Sequence, residues 1–131
     1  MIPTRVHGVL DYLIGLALIA APWLLGFAEG GAETWIPVIL GAGSILYSAL
    51  TNYELGLAGI LSMKAHLALD FVGGAFLATS PWLFDYADRV YLPHVVVGTF
   101  MVIASLTTKH APAHPALDHR NGRHGGTVPH R

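Results

Sequence analysis

Four apolar stretches, at residues 9–27, 35–50, 67–84 and 90–106, occupy most of this chain and decide what it can fold into. Each is close to the length a helix needs to cross a hydrocarbon core of roughly 30 Å. Among the 131 residues 53% are hydrophobic and only 11% are charged, against about one-quarter charged in an ordinary soluble domain. The expectation is an all-α fold, a bundle of four transmembrane helices whose first partner is the lipid bilayer. With no cysteine, disulfides, thiolate metal sites and iron–sulfur clusters are excluded. An Arg5-led apolar run near the start could pass for a cleaved leader. Its acidic residue, and a second copy in mid-chain, favour reading it as a retained helix.

The chain is written twice. At a shift of 59, residues 5–27 and 64–86 share His7/His66, Leu10/Leu69, Asp11/Asp70, Gly15/Gly74, Leu18/Leu77, Pro22/Pro81, Trp23/Trp82 and Leu24/Leu83. The following stretches align at a shift of 56, which equates Pro37 with Pro93, Trp35 with Tyr91 and Leu50-Thr51 with Leu106-Thr107. Each copy reads as a hairpin of two crossings. Pro22 and Pro81 disfavour continued helix, and Trp23 and Trp82 prefer a membrane–water interface. Together they mark where the first and third helices leave the bilayer.

Ala21-Pro22-Trp23 and Ser80-Pro81-Trp82, each closing the first helix of a duplicated hairpin, resemble the SPW-repeat family of small integral membrane proteins. The second copy matches the motif literally, and the first has alanine for serine. The resemblance covers about residues 5–108. It implies a four-helix membrane protein and brings no catalytic residue with it. The expected organisation is a first repeat at 1–52, an interfacial connector at 53–63, a second repeat at 64–108 and a disordered, His-rich cytoplasmic tail at 109–131. That tail carries His110, His114, His119, His124 and His130. Its composition suits loose contact with metal ions or with anionic lipid.

Arg5, Lys64, Lys109, Arg120, Arg123 and Arg131 fall on one side of a four-crossing arrangement, whereas Glu29, Glu33, Asp85 and Asp88 share the other with only Arg89. Basic excess marks the cytoplasmic side. Both termini are expected there, in a bacterial inner membrane, with the hairpins as parallel repeats about an axis along the membrane normal. His94 and Arg89 are expected to stand alone at the outer interface.

On a helical wheel, His7, Leu10, Asp11, Gly15, Leu18 and Pro22 lie within roughly 140° of one another. Because the duplication keeps one face, helices one and three are expected to pack across the pseudo-twofold axis, with Gly15 and Gly74 allowing close approach. Gly41, Gly43, Ser44 and Ser48 would do the same for the second helix.

His7 with Asp11, and His66 with Asp70, are spaced i, i+4 and share a helical face. Ionisable groups at that depth face a bundle interior or a water-filled cavity, so the four side chains should converge. Two histidines and two carboxylates form a donor set for a divalent ion. They could equally hold a proton, secure packing through local hydrogen bonds, or meet a partner. No cofactor is otherwise expected, and no nucleic-acid partner. No Ser-His-Asp spacing, Walker loop, dinucleotide fingerprint or HExxH occurs, so an enzyme is the weakest class. The two readings that remain are a structural or accessory module that self-associates or joins a membrane complex, and a small ion, proton or metal transport or sensing protein built on His7, Asp11, His66 and Asp70.

Overall fold

A computed structural model describes residues 1–111. Four helices, α1 (Thr4–Leu24), α2 (Ala32–Leu50), α3 (Met63–Leu83) and α4 (Leu92–Thr107), form an all-α bundle with no strand among the described residues. The tail histidines His114, His119, His124 and His130 lie outside those residues. Hairpin partners pack most closely, α1 on α2 and α3 on α4; α2 also touches α3, and α1 meets α4 only briefly. An apolar groove of about 470 Å³ remains between α1 and α4, lined by residues such as Leu18, Phe27, Pro93 and Val97.

The first and third helices begin earlier than hydropathy alone suggests, so that His7 and His66 are helical residues along with Asp11 and Asp70. At 1.5 Å per residue, α1 and α3 (21 residues each) are roughly 32 Å long, α2 (19) about 28 Å and α4 (16) about 24 Å. Among them α1 and α2 are long and apolar enough to cross a membrane, and α4 is a shorter apolar helix. Pro22 and Pro81 are accommodated within the last turn, and the helices run on to Leu24 and Leu83.

The face kept by the duplication is the one that is buried. His7, Asp11, Gly15, Leu18 and Pro22 point inward from α1, as do His66, Asp70, Gly74, Leu77 and Pro81 from α3. Leu10 and Leu69 sit at its margin. Leu18 and Leu77 meet in the central core with Met101.

The glycines pack helices together, but not α1 against α3. A Cβ on Gly15 would lie 2.9 Å from the Gly41 carbonyl oxygen and 2.6 Å from Ile45 Cγ1. One on Gly74 would lie 2.7 Å from the Gly98 carbonyl oxygen. Each glycine therefore closes its own hairpin, because the partner helix supplies the matching glycine. Gly43 faces open space, whereas Gly56 in the connector lies against the Thr51 carbonyl.

These contacts also correct the repeat register. Gly41 corresponds to Gly98, and the C-capping residues Thr51 and Thr108 correspond to each other, a shift of 57 rather than 56. The shift of 56 survives only at the helix starts, where Trp23 meets Trp35 and Trp82 meets Tyr91 edge-on or tilted. Thr107 and Thr108 are adjacent, and sequence matching took the first; Thr107 is exposed and Thr108 is buried.

The two repeats are laced together through these termini. Ile2 pairs with Thr108 and Leu61 with Thr51 in short parallel bridges. Ile2 N–H donates to Thr107 O at 2.8 Å and Ile2 O accepts from Lys109 N–H at 3.0 Å; Leu61 N–H donates to Leu50 O at 2.8 Å and Leu61 O accepts from Asn52 N–H at 2.7 Å. The segment leading into each repeat's first helix is thus pinned to the end of the other repeat's second helix, and the chain closes into a pseudo-twofold ring.

Candidate functional site

Just inside this laced end, α1 and α3 bring His7, Asp11, His66 and Asp70 together. Relative exposures are 1%, 7%, 0% and 1%, so the centre is closed to solvent. The i, i+4 spacing is not what dominates. His7 Nε2 lies 2.7 Å from Asp70 Oδ2 and 3.3 Å from Asp11 Oδ1; His66 Nε2 lies 2.7 Å from Asp11 Oδ2 and 3.2 Å from Asp70 Oδ2. The short contacts cross between repeats, and the local ones are longer. The two imidazole rings meet edge-on with centroids 5.6 Å apart.

The outer nitrogen of each ring is held by a threonine that sequence reasoning did not single out. Thr108 Oγ1 is 2.7 Å from His7 Nδ1, and Thr51 Oγ1 is 2.8 Å from His66 Nδ1. Each hydroxyl spends its one proton on the carbonyl four residues earlier, Ala104 for Thr108 and Tyr47 for Thr51, both at 2.6 Å. It can only accept from the imidazole, so Nδ1–H is the donor in both rings. Both Nε2 atoms are thereby aimed at the centre. Two lone pairs do not approach to 2.7 Å, so one proton lies between each Nε2 and its cross-repeat carboxylate oxygen. The signal that could have revealed the threonines is the hydroxyl repeated at each hairpin's end, hidden by the one-residue slip in register.

Two further hydroxyls break the symmetry. Tyr47 O–H donates to Asp70 Oδ1, a position that Ala104 leaves bare in the second repeat, and Ser48 Oγ reaches Asp11 Oδ2 at 3.4 Å. Tyr53, fully buried in the connector, covers Gly8 and lies beside the His66 ring. Arg5 and Lys64 are exposed, and among the described residues the ion-pair partners of Asp11 and Asp70 are His7 and His66. Among the described residues no lysine or arginine pairs with either carboxylate.

The sequence model of the SPW repeat domain matches residues 5–108. The chain belongs to the SPW repeat family. Searches of curated proteins and of solved structures gave no match. The SPW motif itself lies at the opposite end of the bundle from the His/Asp centre. There Pro22 and Pro81 are buried, and Trp23 and Trp82 are exposed.

The SPW serine has a structural task. Ser80 Oγ donates to Leu77 O at 2.7 Å and so accepts from the Tyr86 hydroxyl at 2.6 Å. Burial pushes the Tyr86 phenol above its ordinary value and keeps it a donor. The first repeat has Ala21 and Phe27 at these places, so the hydroxyl pair is present or absent as a unit.

His94 does not decorate the outer interface. It is buried, its Nε2 bonded to the Glu33 carbonyl at 3.0 Å, with Phe27 and Tyr86 beside its ring, because Gly98 one turn on draws that face of α4 into the bundle. Glu33 is buried too, its carboxylate taking the Gly31 N–H at 2.9 Å and the Thr34 hydroxyl at 3.0 Å. Arg89 does not stand alone either, since it pairs with Glu29 at 2.6 Å on the surface.

Proposed function

We propose that this SPW repeat protein is a small integral membrane module, structural or accessory rather than enzymatic, that acts by self-association or by joining a larger membrane assembly. One observation carries the reading: the polarity of the bundle is inverted. His7, Asp11, Ser44, Ser48, His66, Asp70, Ser80, His94 and Ser105 are buried, while Leu13, Leu16, Ile39, Leu46, Val72, Val96, Phe100 and Ile103 face outward. In water the exposed apolar surface would be costly. In lipid it is matched, and exposed Trp23, Trp35, Trp82 and Tyr91 then lie at one interface. Exposed Leu57 and Ile60 let the connector rest on the other. Arg5, Lys64 and Lys109 gather at the laced end, and Glu29, Asp85 and Asp88 at the SPW end, which supports cytoplasmic termini in a bacterial plasma membrane.

The test is topological. A reporter active only in the cytoplasm gives signal when fused after Arg131 and none when inserted at Glu29. Signal from the Glu29 position, or release of the protein from membranes by alkaline wash, overturns the reading. The closed His/Asp centre favours a second reading, ion handling.

A further inference from the structure

We propose that His7, Asp11, His66 and Asp70 form a four-coordinate site for one divalent transition ion of the Zn²⁺ class, with Thr51 and Thr108 as its positioning residues. The inference rests on the ion-handling reading and gives it a ligand; it does not depend on which way the bundle crosses a bilayer. The geometry comes first. One donor atom from each of the four residues can be chosen so that all lie within 4.8 Å of one another. Nitrogen and oxygen alternate around the centre: His7 Nε2 to Asp70 Oδ2 at 2.7 Å, Asp70 Oδ2 to His66 Nε2 at 3.2 Å and His66 Nε2 to Asp11 Oδ2 at 2.7 Å, while the other Asp11 oxygen, Oδ1, lies 3.3 Å from His7 Nε2. Zinc bonds of about 2.0–2.2 Å place tetrahedral ligands roughly 3.3–3.6 Å apart, so the two short edges need to open by roughly 0.6–0.9 Å.

The chemistry agrees. Imidazole and carboxylate are borderline and hard donors that suit Zn²⁺ and its neighbours, and thiolate-seeking ions find nothing here. Two neutral imidazoles and two carboxylates carry a charge of minus two, which one dication cancels. The bridging protons of the two cross-repeat contacts leave as the ion enters, two for one, so charge is conserved. The third support is the outer shell. Metal-binding histidines characteristically donate their second N–H to an acceptor that fixes the ring. Thr108 and Thr51 are those acceptors for His7 and His66, with their hydroxyl protons already committed elsewhere. A centre that served packing alone would not need both Nε2 atoms turned inward onto four convergent donors.

The experiment uses the full chain in detergent, freed of metal and titrated with Zn²⁺ against a competing chelator, then with Co²⁺ read by visible absorption. Wild type is expected to take one tight equivalent and to give with Co²⁺ the intense bands of a tetrahedral site. Asp11→Asn and Asp70→Asn should each weaken that equivalent at least 100-fold. Thr51→Val and Thr108→Val should weaken it about 10- to 100-fold, and Thr51→Ser should restore it. The His-rich tail is present in every variant, so its binding cancels in the comparison. No tight equivalent in wild type overturns the proposal whether or not any variant folds. So does undiminished binding in a folded Asp→Asn variant, which would place the ion on the tail. A failed titration beside a correct reporter topology would remove the ion site and leave the membrane module intact.

Discussion

The two ends of the bundle treat the duplication differently. At the laced end, the links run threonine to histidine to aspartate in both copies, with distances that agree within 0.1 Å: 2.7 and 2.7 Å to the carboxylates, 2.7 and 2.8 Å to the threonines. The glycine layer beneath repeats as well, Gly15 on Gly41 and Gly74 on Gly98. At the SPW end the copies diverge: Ala21 and Phe27 answer Ser80 and Tyr86, and Gly26 answers Asp85. Where four groups converge on one axis, altering one copy strands a buried polar partner from the other, at a cost of roughly 1–3 kcal/mol or more. At the SPW end each loop makes its own contacts, and paired changes within one copy are enough.

If the glycine layer is as symmetric as its contacts, Gly15→Leu and Gly74→Leu will destabilise the bundle alike, by roughly 3 kcal/mol or more, since a backbone carbonyl, Gly41 O or Gly98 O, stands within 3 Å of each new Cβ, joined at Gly15 by the Ile45 side chain. Gly43→Leu is the control, because nothing lies within 4 Å of its Cβ position. Gly56→Leu is not one: its Cβ would enter the Thr51 carbonyl and disturb the cap that holds His66. Unfolding in detergent measures all of these. A large gap between Gly15→Leu and Gly74→Leu would break the symmetry of this layer.

How far the sequence reaches follows the same division. The helices, the duplicated face and the convergence of His7, Asp11, His66 and Asp70 were legible because helical period and repetition act within one segment. The partners of Gly15 and Gly74 were not, since a preserved face says that a surface is buried and not which helix buries it. Thr51 and Thr108 were missed because the register of the second half was taken from Pro37/Pro93, which follow the loops, and packing fixes the rest one residue away. His94 was misplaced for a related reason. A lone polar residue near a predicted helix start looks interfacial, and only the tertiary partner, here the Glu33 backbone carbonyl, accounts for its burial.

The Ser80–Tyr86 pair offers a smaller effect and a sharper test of divergence by units. Tyr86→Phe loses one hydrogen bond and should cost about 1 kcal/mol, while Ser80 keeps its bond to Leu77 O. Ser80→Ala leaves the fully buried Tyr86 hydroxyl without its acceptor, and about 1–3 kcal/mol is expected. Making both changes recreates the first repeat's Ala21 and Phe27, and the double variant should cost clearly less than the sum. Additive losses in a double-mutant cycle would show that the two residues do not vary as one unit.

The smallest effect concerns the turn that follows the motif. Asp85 has φ 57° and its counterpart Gly26 has φ 75°, so both copies leave the helix through a left-handed residue. That conformation costs a side-chain-bearing residue roughly 1–2 kcal/mol, less for aspartate, whose short polar side chain bonds locally. Nothing lies within 4 Å of a Cβ on Gly26, so the backbone alone sets the cost there. Gly26→Ala should therefore destabilise by about 1 kcal/mol and Gly26→Asp by less, because the second repeat already carries aspartate at this place. Thermal melting of the two variants in one detergent ranks them. Equal stability of wild type and Gly26→Ala would mean that the first loop leaves the left-handed region in solution, and the SPW turns would then differ in backbone as well as in side chain.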